Sequence, residues 1–259
     1  MEVKVIEKKE RMLKLLIEDI DVSMANAIRR ITMNEVPTMA VEYVDFMINS
    51  SGLFDEVLAH RIGLIPLTLR DKFNMRKDCK CTRGCSNCQV MLTLKKEGPC
   101  LVKAGDFVSS DEDVVPLDLE IPIVELLEGQ EVEFKAVASL NKGREHAKWQ
   151  CAVVGYRHVP QVKISNEKGD AVAAFKACPK DVFDKKDDKI SVARKMNCDL
   201  CMRCVEVSDG SANVSPDERS FIFTIESISG LHPEQILYKV LDIIEERADE
   251  FIKFVKKEI

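Results

Sequence analysis

The chain predicts an α+β protein in which a small cysteine-rich module interrupts a larger β-rich body. Three observations carry that reading. Residues 41 to 165 break into short apolar and alternating runs divided by turn residues, as strands do. Residues 22 to 35 and 233 to 257 repeat apolar side chains at helical spacing. Residues 166 to 218 shift toward Gly, Asp and Lys and enclose four cysteines.

Taken in order, Val3 to Ile20 alternates imperfectly between apolar and charged residues, the pattern of a two-stranded antiparallel hairpin. From Ser23 to Glu35, the residues Met24, Ala25, Ile28, Ile31 and Thr32 share one helical face. Asp21 or Ser23 is placed to cap that helix, and Pro37 stands just past its end. Glu56 to His60 is a short helical pattern, and Val90–Leu94, Val132–Leu140 and Cys151–Tyr156 read as strands. Strand-like segments at Val162–Ile164 and Phe221–Ile225 flank the cysteine-rich stretch, so it is expected as a separate domain inserted between two paired strands.

The last helix starts on Pro233, a favourable first helical residue. Leu237, Val240, Leu241, Ile244, Ala248, Phe251, Ile252 and Val255 form an apolar stripe on a rod about 37 Å long. Burial of each large apolar side chain is worth about 1.5–3 kcal/mol, so the outer turns gain from a partner helix. The alternative is a long helix lying on its own sheet.

Composition narrows the classes. With 46% hydrophobic and 32% charged residues among 259, the chain is an ordinary globular one. It holds no apolar run near the roughly 20 residues that span a bilayer, and Met1-Glu2-Val3-Lys4-Val5 lacks a secretory core, so a cytoplasmic location is expected. A net charge of −6 argues against a direct grip on DNA, which takes a basic surface. Ten cysteines in such a chain are expected reduced, and their clustering points to metal.

Cys198, Cys201 and Cys204 form C-x2-C-x2-C, and Cys178-Pro179 lies upstream. In the bacterial ferredoxin run C-x2-C-x2-C-x3-C-P, three thiolates hold one cluster and the cysteine before proline holds the other. Counting back from Cys178 by that spacing finds Lys168, Ala171 and Ala174, and counting on from Cys204 finds Ser208. Every erased position belongs to one cluster. The four remaining cysteines, Cys178, Cys198, Cys201 and Cys204, complete one [4Fe-4S] site in a ferredoxin-like domain. An all-cysteine zinc site is the alternative.

A second set, Cys79, Cys81, Cys85 and Cys88, lies within ten residues, with Gly84 easing the turn; one Zn²⁺ is the expected occupant. An empty reduced loop and a second iron–sulfur site are the alternatives. Cys100 and Cys151 stand apart and are expected to be buried.

Val22-Ser23-Met24-Ala25-Asn26-Ala27-Ile28-Arg29-Arg30-Ile31 resembles the first helix of the RNA polymerase alpha family. His60-Arg61-Ile62-Gly63-Leu64-Ile65-Pro66-Leu67, Gly143-Arg144-Glu145-His146-Ala147-Lys148-Trp149 and His232-Pro233-Glu234-Gln235-Ile236 are similar to three more of its signatures. The chain is identified as a member of the archaeal branch of that family. The resemblance implies an alpha-like dimerisation domain made of residues 1–44, 159–165 and 219–259. It also implies an inserted β-rich domain over 45–158 with the zinc-type loop, and a ferredoxin-like insert over 166–218. It implies a non-catalytic assembly subunit, paired with the smaller L subunit and docking subunits N and P and the two large ones. Arg29, Arg30, His60 and Arg61 are expected at a large-subunit contact, and Leu237, Leu241, Ile244, Phe251 and Val255 against L.

No metalloprotease helix, nucleophile elbow, phosphate loop or metal-binding Asp triplet occurs in the sequence. A ferredoxin-type electron carrier or oxidoreductase subunit is the competing class, motivated by the cluster alone. A zinc-containing DNA-binding protein is a third, and it would use a basic patch of Lys142, Arg144 and Lys148.

Overall fold

A computed structural model describes residues 1–69 and 73–258. They divide into two compact units. One comprises Met1–Lys8, Leu13–Ala27 and Gly155–Thr224; the other comprises Lys9–Met12, Ile28–Val154 and Ile225–Ile259.

The expected hairpin is β1 (Glu2–Lys8) and β2 (Met12–Glu18), antiparallel with Val3 opposite Ile17 and Val5 opposite Leu15. Leu13, Leu15 and Ile17 are buried between partly covered neighbours, the period-two alternation of a half-buried strand. In α1 (Val22–Asn34), Ala25, Ile28, Ile31 and Thr32 are buried. Met24, expected on the same face, is exposed along with Val22, so coverage begins only at the second turn.

The second unit is built on β3 (Pro37–Asn49), α2 (Asp55–Gly63), β4 (Gln89–Glu97), β5 (Cys100–Lys103), β6 (Val108–Ser109), β7 (Pro122–Leu126) and β8 (Glu131–Lys142). One sheet runs β3-β8-β4-β6, and β5 pairs with β7. Leu58 and Ile62, four residues apart on α2, join Met39, Val41, Leu92, Leu94 and Phe134 in its core. Phe46 and Phe107 each meet the Phe134 ring edge-on at 5.7 Å, the arrangement that the aromatic quadrupole favours.

Strand β9 (Ala152–Ile164) is continuous where the sequence suggested two pieces. Gly155 and Pro160 mark an apparent break, but β9 ends the sheet order β1-β2-β12-β9, and an edge strand tolerates proline. After β9 come α3 (Ala171–Ala177), β10 (Phe183–Lys186), β11 (Lys189–Val192) and α4 (Arg203–Val207). Ala174, Val182, Phe183, Ile190 and Val214 give this stretch its own core, shared with Cys198 and Cys204. Strand β12 (Ala212–Ser227) then pairs beside β9, starting well before the expected Phe221.

The chain closes on α5 (Pro233–Glu258). The His232 amide donates to Gln235 Oε1 at 2.9 Å, satisfying a backbone N–H that the helix itself leaves open. Ile236 and Val240 are buried, whereas Leu241, Phe251, Ile252 and Phe254 are 47%, 68%, 48% and 63% exposed. The apolar stripe is therefore covered at its start, and beyond it Leu241, Phe251 and Ile252 are exposed while Ile244 and Val255 are half-buried.

Candidate metal centres and interface

The 79–88 loop brings its four cysteines together. Gly84 has φ +103°, a left-handed conformation that side chains rarely adopt, and an added Cβ would run into the Gln89 side chain. The sulfurs all lie within 4.8 Å of one another. Individual separations are 3.7 Å for Cys79 and Cys85, 3.5 Å for Cys81 and Cys88, and 3.8 Å for Cys85 and Cys88. A sulfur–zinc bond of about 2.3 Å puts tetrahedral sulfurs about 3.8 Å apart, so the donor set fits a single ion. Arg76, a residue without any signal in the sequence, donates to the Cys81 carbonyl at 3.1 Å and to its Sγ at 3.4 Å. The amide of Cys85 donates to Cys88 Sγ at 3.3 Å. Burial pushes the Cys88 thiol up to about 12, while hydrogen bonds from the backbone and side chain of Cys81 lower Cys79 to about 7.

Cys178, Cys198, Cys201 and Cys204 line one cavity, walled by Val162, Val182, Phe183 and Val214. These residues line a space; among the described residues, the 79–88 set is the group whose sulfurs close on a point. Leu200 and Met202, between the cysteines, both have φ of 62°, so the run coils back on itself through left-handed residues. Burial raises the Cys198 and Cys204 thiols, and the neighbouring cysteines add to it. A group bound there displaces those protons. Cys201 is exposed, Cys178 half-buried.

The two lone cysteines differ. Cys151 is buried and donates to the Thr32 carbonyl at 3.0 Å, with burial pushing it up to about 12. Cys100, expected buried, is half-covered at the start of β5, where its Sγ bonds the Glu97 carbonyl.

The full chain matches known proteins closely. DNA-directed RNA polymerase subunit Rpo3 of Archaeoglobus fulgidus is 39% identical over 99% of this chain and 98% of its own. The Rpo3 of Methanothermobacter thermautotrophicus is 39% identical over 98% of each chain, and that of Thermococcus kodakarensis 35% over 99% and 98%. This chain belongs to the Rpo3 family of DNA-directed RNA polymerase subunits. The family model described as the RNA polymerase Rpb3/RpoA insert domain matches residues 44–154, a span that contains the 79–88 cysteines and ends before the 178–204 set.

The signature segments outside the cysteine sets lie apart from both in sequence. Arg30 and His60 are exposed. Arg29 is partly covered and contacts Met33 Sδ through Nη1 at 3.6 Å. Arg61 donates to the Ile123 carbonyl, which ties α2 to β7. The 143–149 loop packs closely on the residues around it: Gly143 lies so near the Met33 carbonyl that an added Cβ would be 2.1 Å from it. Trp149 Nε1 donates to the Ser139 carbonyl at 3.1 Å, and the Lys148 ammonium sits 4.4 Å over the indole. Lys142 pairs with Glu35 at 3.4 Å. Lys148 donates to the Glu42 carbonyl, and Arg144 is exposed. Glu35 also bonds Arg247 of α5 at 3.1 Å. Burial pushes the Glu35 carboxyl up, but Arg247 and Lys142 outweigh it and hold it below its ordinary value.

Proposed function

We propose that this chain is a non-catalytic assembly scaffold of a cytoplasmic DNA-directed RNA polymerase. In this reading it pairs with the smaller alpha-like subunit L through α1 and α5, and the pair docks subunits N and P and the two large, catalytic subunits. The carrying observation is α5: beyond its buried start it presents Leu241, Phe251 and Ile252 to solvent on the side of its apolar stripe, and an exposed apolar helix face of that kind marks a protein interface. No helix among the described residues is long and apolar enough to cross a membrane, so a bilayer-spanning role for α5 is excluded.

Residues 1–44, 159–165 and 219–259 are assigned to dimerisation, 45–158 to the zinc-bearing domain and 166–218 to the ferredoxin-like domain. Cys79, Cys81, Cys85 and Cys88 would hold Zn²⁺, supported by separations that match tetrahedral thiolate. Cys178, Cys198, Cys201 and Cys204 would hold one [4Fe-4S] cluster, supported by their shared cavity and by the ferredoxin spacing. Either group would supply structural cross-linking of its loop. The electron-carrier alternative is disfavoured because the relatives match over nearly the whole chain, not over the cysteine module alone.

The test is co-purification. Ile244→Asp with Phe251→Asp puts carboxylates where a partner's apolar face is expected, and an unpaired buried charge costs several kcal/mol. Loss of L from the purified complex, with the visible absorption of the cluster retained, is the expected result. Full retention of L would remove α5 from the interface.

A further inference from the structure

The cysteine run at 198–204 is held in a conformation that its own sequence disfavours. Leu200 and Met202 carry φ of 62° without being glycine, a state that costs an L-residue energy and persists only where surrounding contacts over-determine it. The backbone entering that run is fixed from outside the module. Arg157, half-buried on β9, donates Nη1 to the Cys198 carbonyl at 2.7 Å and Nη2 to the Met196 carbonyl at 2.5 Å. A guanidinium presents its donors in a rigid planar fork, so two carbonyls spaced two residues apart are fixed together. Those carbonyls bracket the first cysteine of the run at the end of the short 3₁₀ turn Lys195–Asn197, where the backbone acceptors have no partner within the turn.

We propose that Arg157 is a positioning residue for the iron–sulfur ligands: it clamps the backbone at Met196 and Cys198 to strand β9 and so keeps the 198–204 run coiled in ligating shape. The inference rests on the assignment of Cys178, Cys198, Cys201 and Cys204 to a cluster. The clamp places Cys198 against β9, and its neighbour Asp199 is drawn by an ion pair at 3.5 Å toward Lys180, which lines the same cavity two residues after Cys178. Two separate cations thereby hold the backbone and side chain on either side of the Cys198–Asp199 peptide.

The experiment uses assembled polymerase carrying the wild-type chain, Arg157→Gln or Arg157→Lys, purified without oxygen. Loss of the visible sulfur-to-iron absorption is followed after adding an iron chelator, and amide hydrogen exchange is read across β12. Both variants are expected to lose the cluster about tenfold faster than wild type, with β12 exchange unchanged. Lysine is expected to fail as a rescue because one ammonium cannot reproduce the fork. An unchanged rate in Arg157→Gln, a wild-type rate in Arg157→Lys, or faster exchange throughout β12 would each overturn the role of Arg157 while leaving the cluster assignment standing. A wild-type chain free of iron would overturn the cluster assignment and this inference with it. Should Arg157→Gln fail to assemble, the Arg157→Lys rate decides.

Discussion

At the scale of single residues, two positions carry the sharpest expectations. Glu35 stands between Lys142 and Arg247, with only 14% of its side chain open to water. Folding lowers its carboxyl below the ordinary 4.5, so its stabilising contribution is complete above that value and fades as pH falls through the lower folded one. Glu35→Gln is therefore expected to cost about 1 kcal/mol at neutral pH, and the difference from wild type should close in acid below pH 4.5. Urea unfolding at several pH values reads this directly; a gap that widens in acid would contradict the pairing. Gly143→Ala would set a methyl 2.1 Å from the Met33 carbonyl, where backbone must move, at a cost of about 2–3 kcal/mol. Gly155→Ala is the control, since an added Cβ there meets nothing within 4 Å, and it should unfold like wild type. The tie through Glu35 left little trace in the sequence, because a lone glutamate after a helix resembles any solvated charge until its partners from β8 and α5 are known.

Among the elements, the regular ones were readable wherever periodicity and end signals agreed. The stripe and Pro233 located α5, and the face of Ala25, Ile28 and Ile31 located α1. Strands β9 and β12 were read short for a shared reason. Gly155 and Pro160 interrupt β9, and Asn213, Ser215, Pro216, Asp217 and Glu218 give the start of β12 the composition of a loop, whereas pairing between neighbouring strands decides both. Of the candidate site, the cysteine sets were plain from spacing alone. Arg76 and Arg157 were not, since each reaches its carbonyls only after the backbone has turned. In the module, Cys201→Ser is expected to bleach the visible absorption and raise hydrogen exchange in α3 and α4, because ligation and local folding are coupled. Exchange that stays at the wild-type level after bleaching would mean the apolar core of Phe183 and Ile190 holds the module unaided.

For the whole molecule, the expected metal content is about four irons and one zinc per chain, measured by elemental analysis of anaerobic protein. Eight irons would place a second cluster on the 79–88 cysteines, and zinc without iron would assign both cysteine sets to the same ion. Expressed without other polymerase subunits, the chain should self-associate through the open half of α5, and light scattering would show it. At the neck of the module, the Ser165 amide donates to the Ser211 carbonyl at 2.9 Å, and Ser211 Oγ donates back to the Ser165 carbonyl at 2.6 Å, so the chain leaves β9 and rejoins β12 at almost one point. Two strands that meet so closely could equally be joined by a tight turn, and shortening a connection lowers closure entropy by only about 0.6 kcal/mol per halving. The module thus hangs from the sheet by a neck two residues wide, and its removal is expected to leave the pairing of β9 with β12 in register. Replacing residues 166–210 by Asn-Gly should yield an iron-free chain that still enters the polymerase.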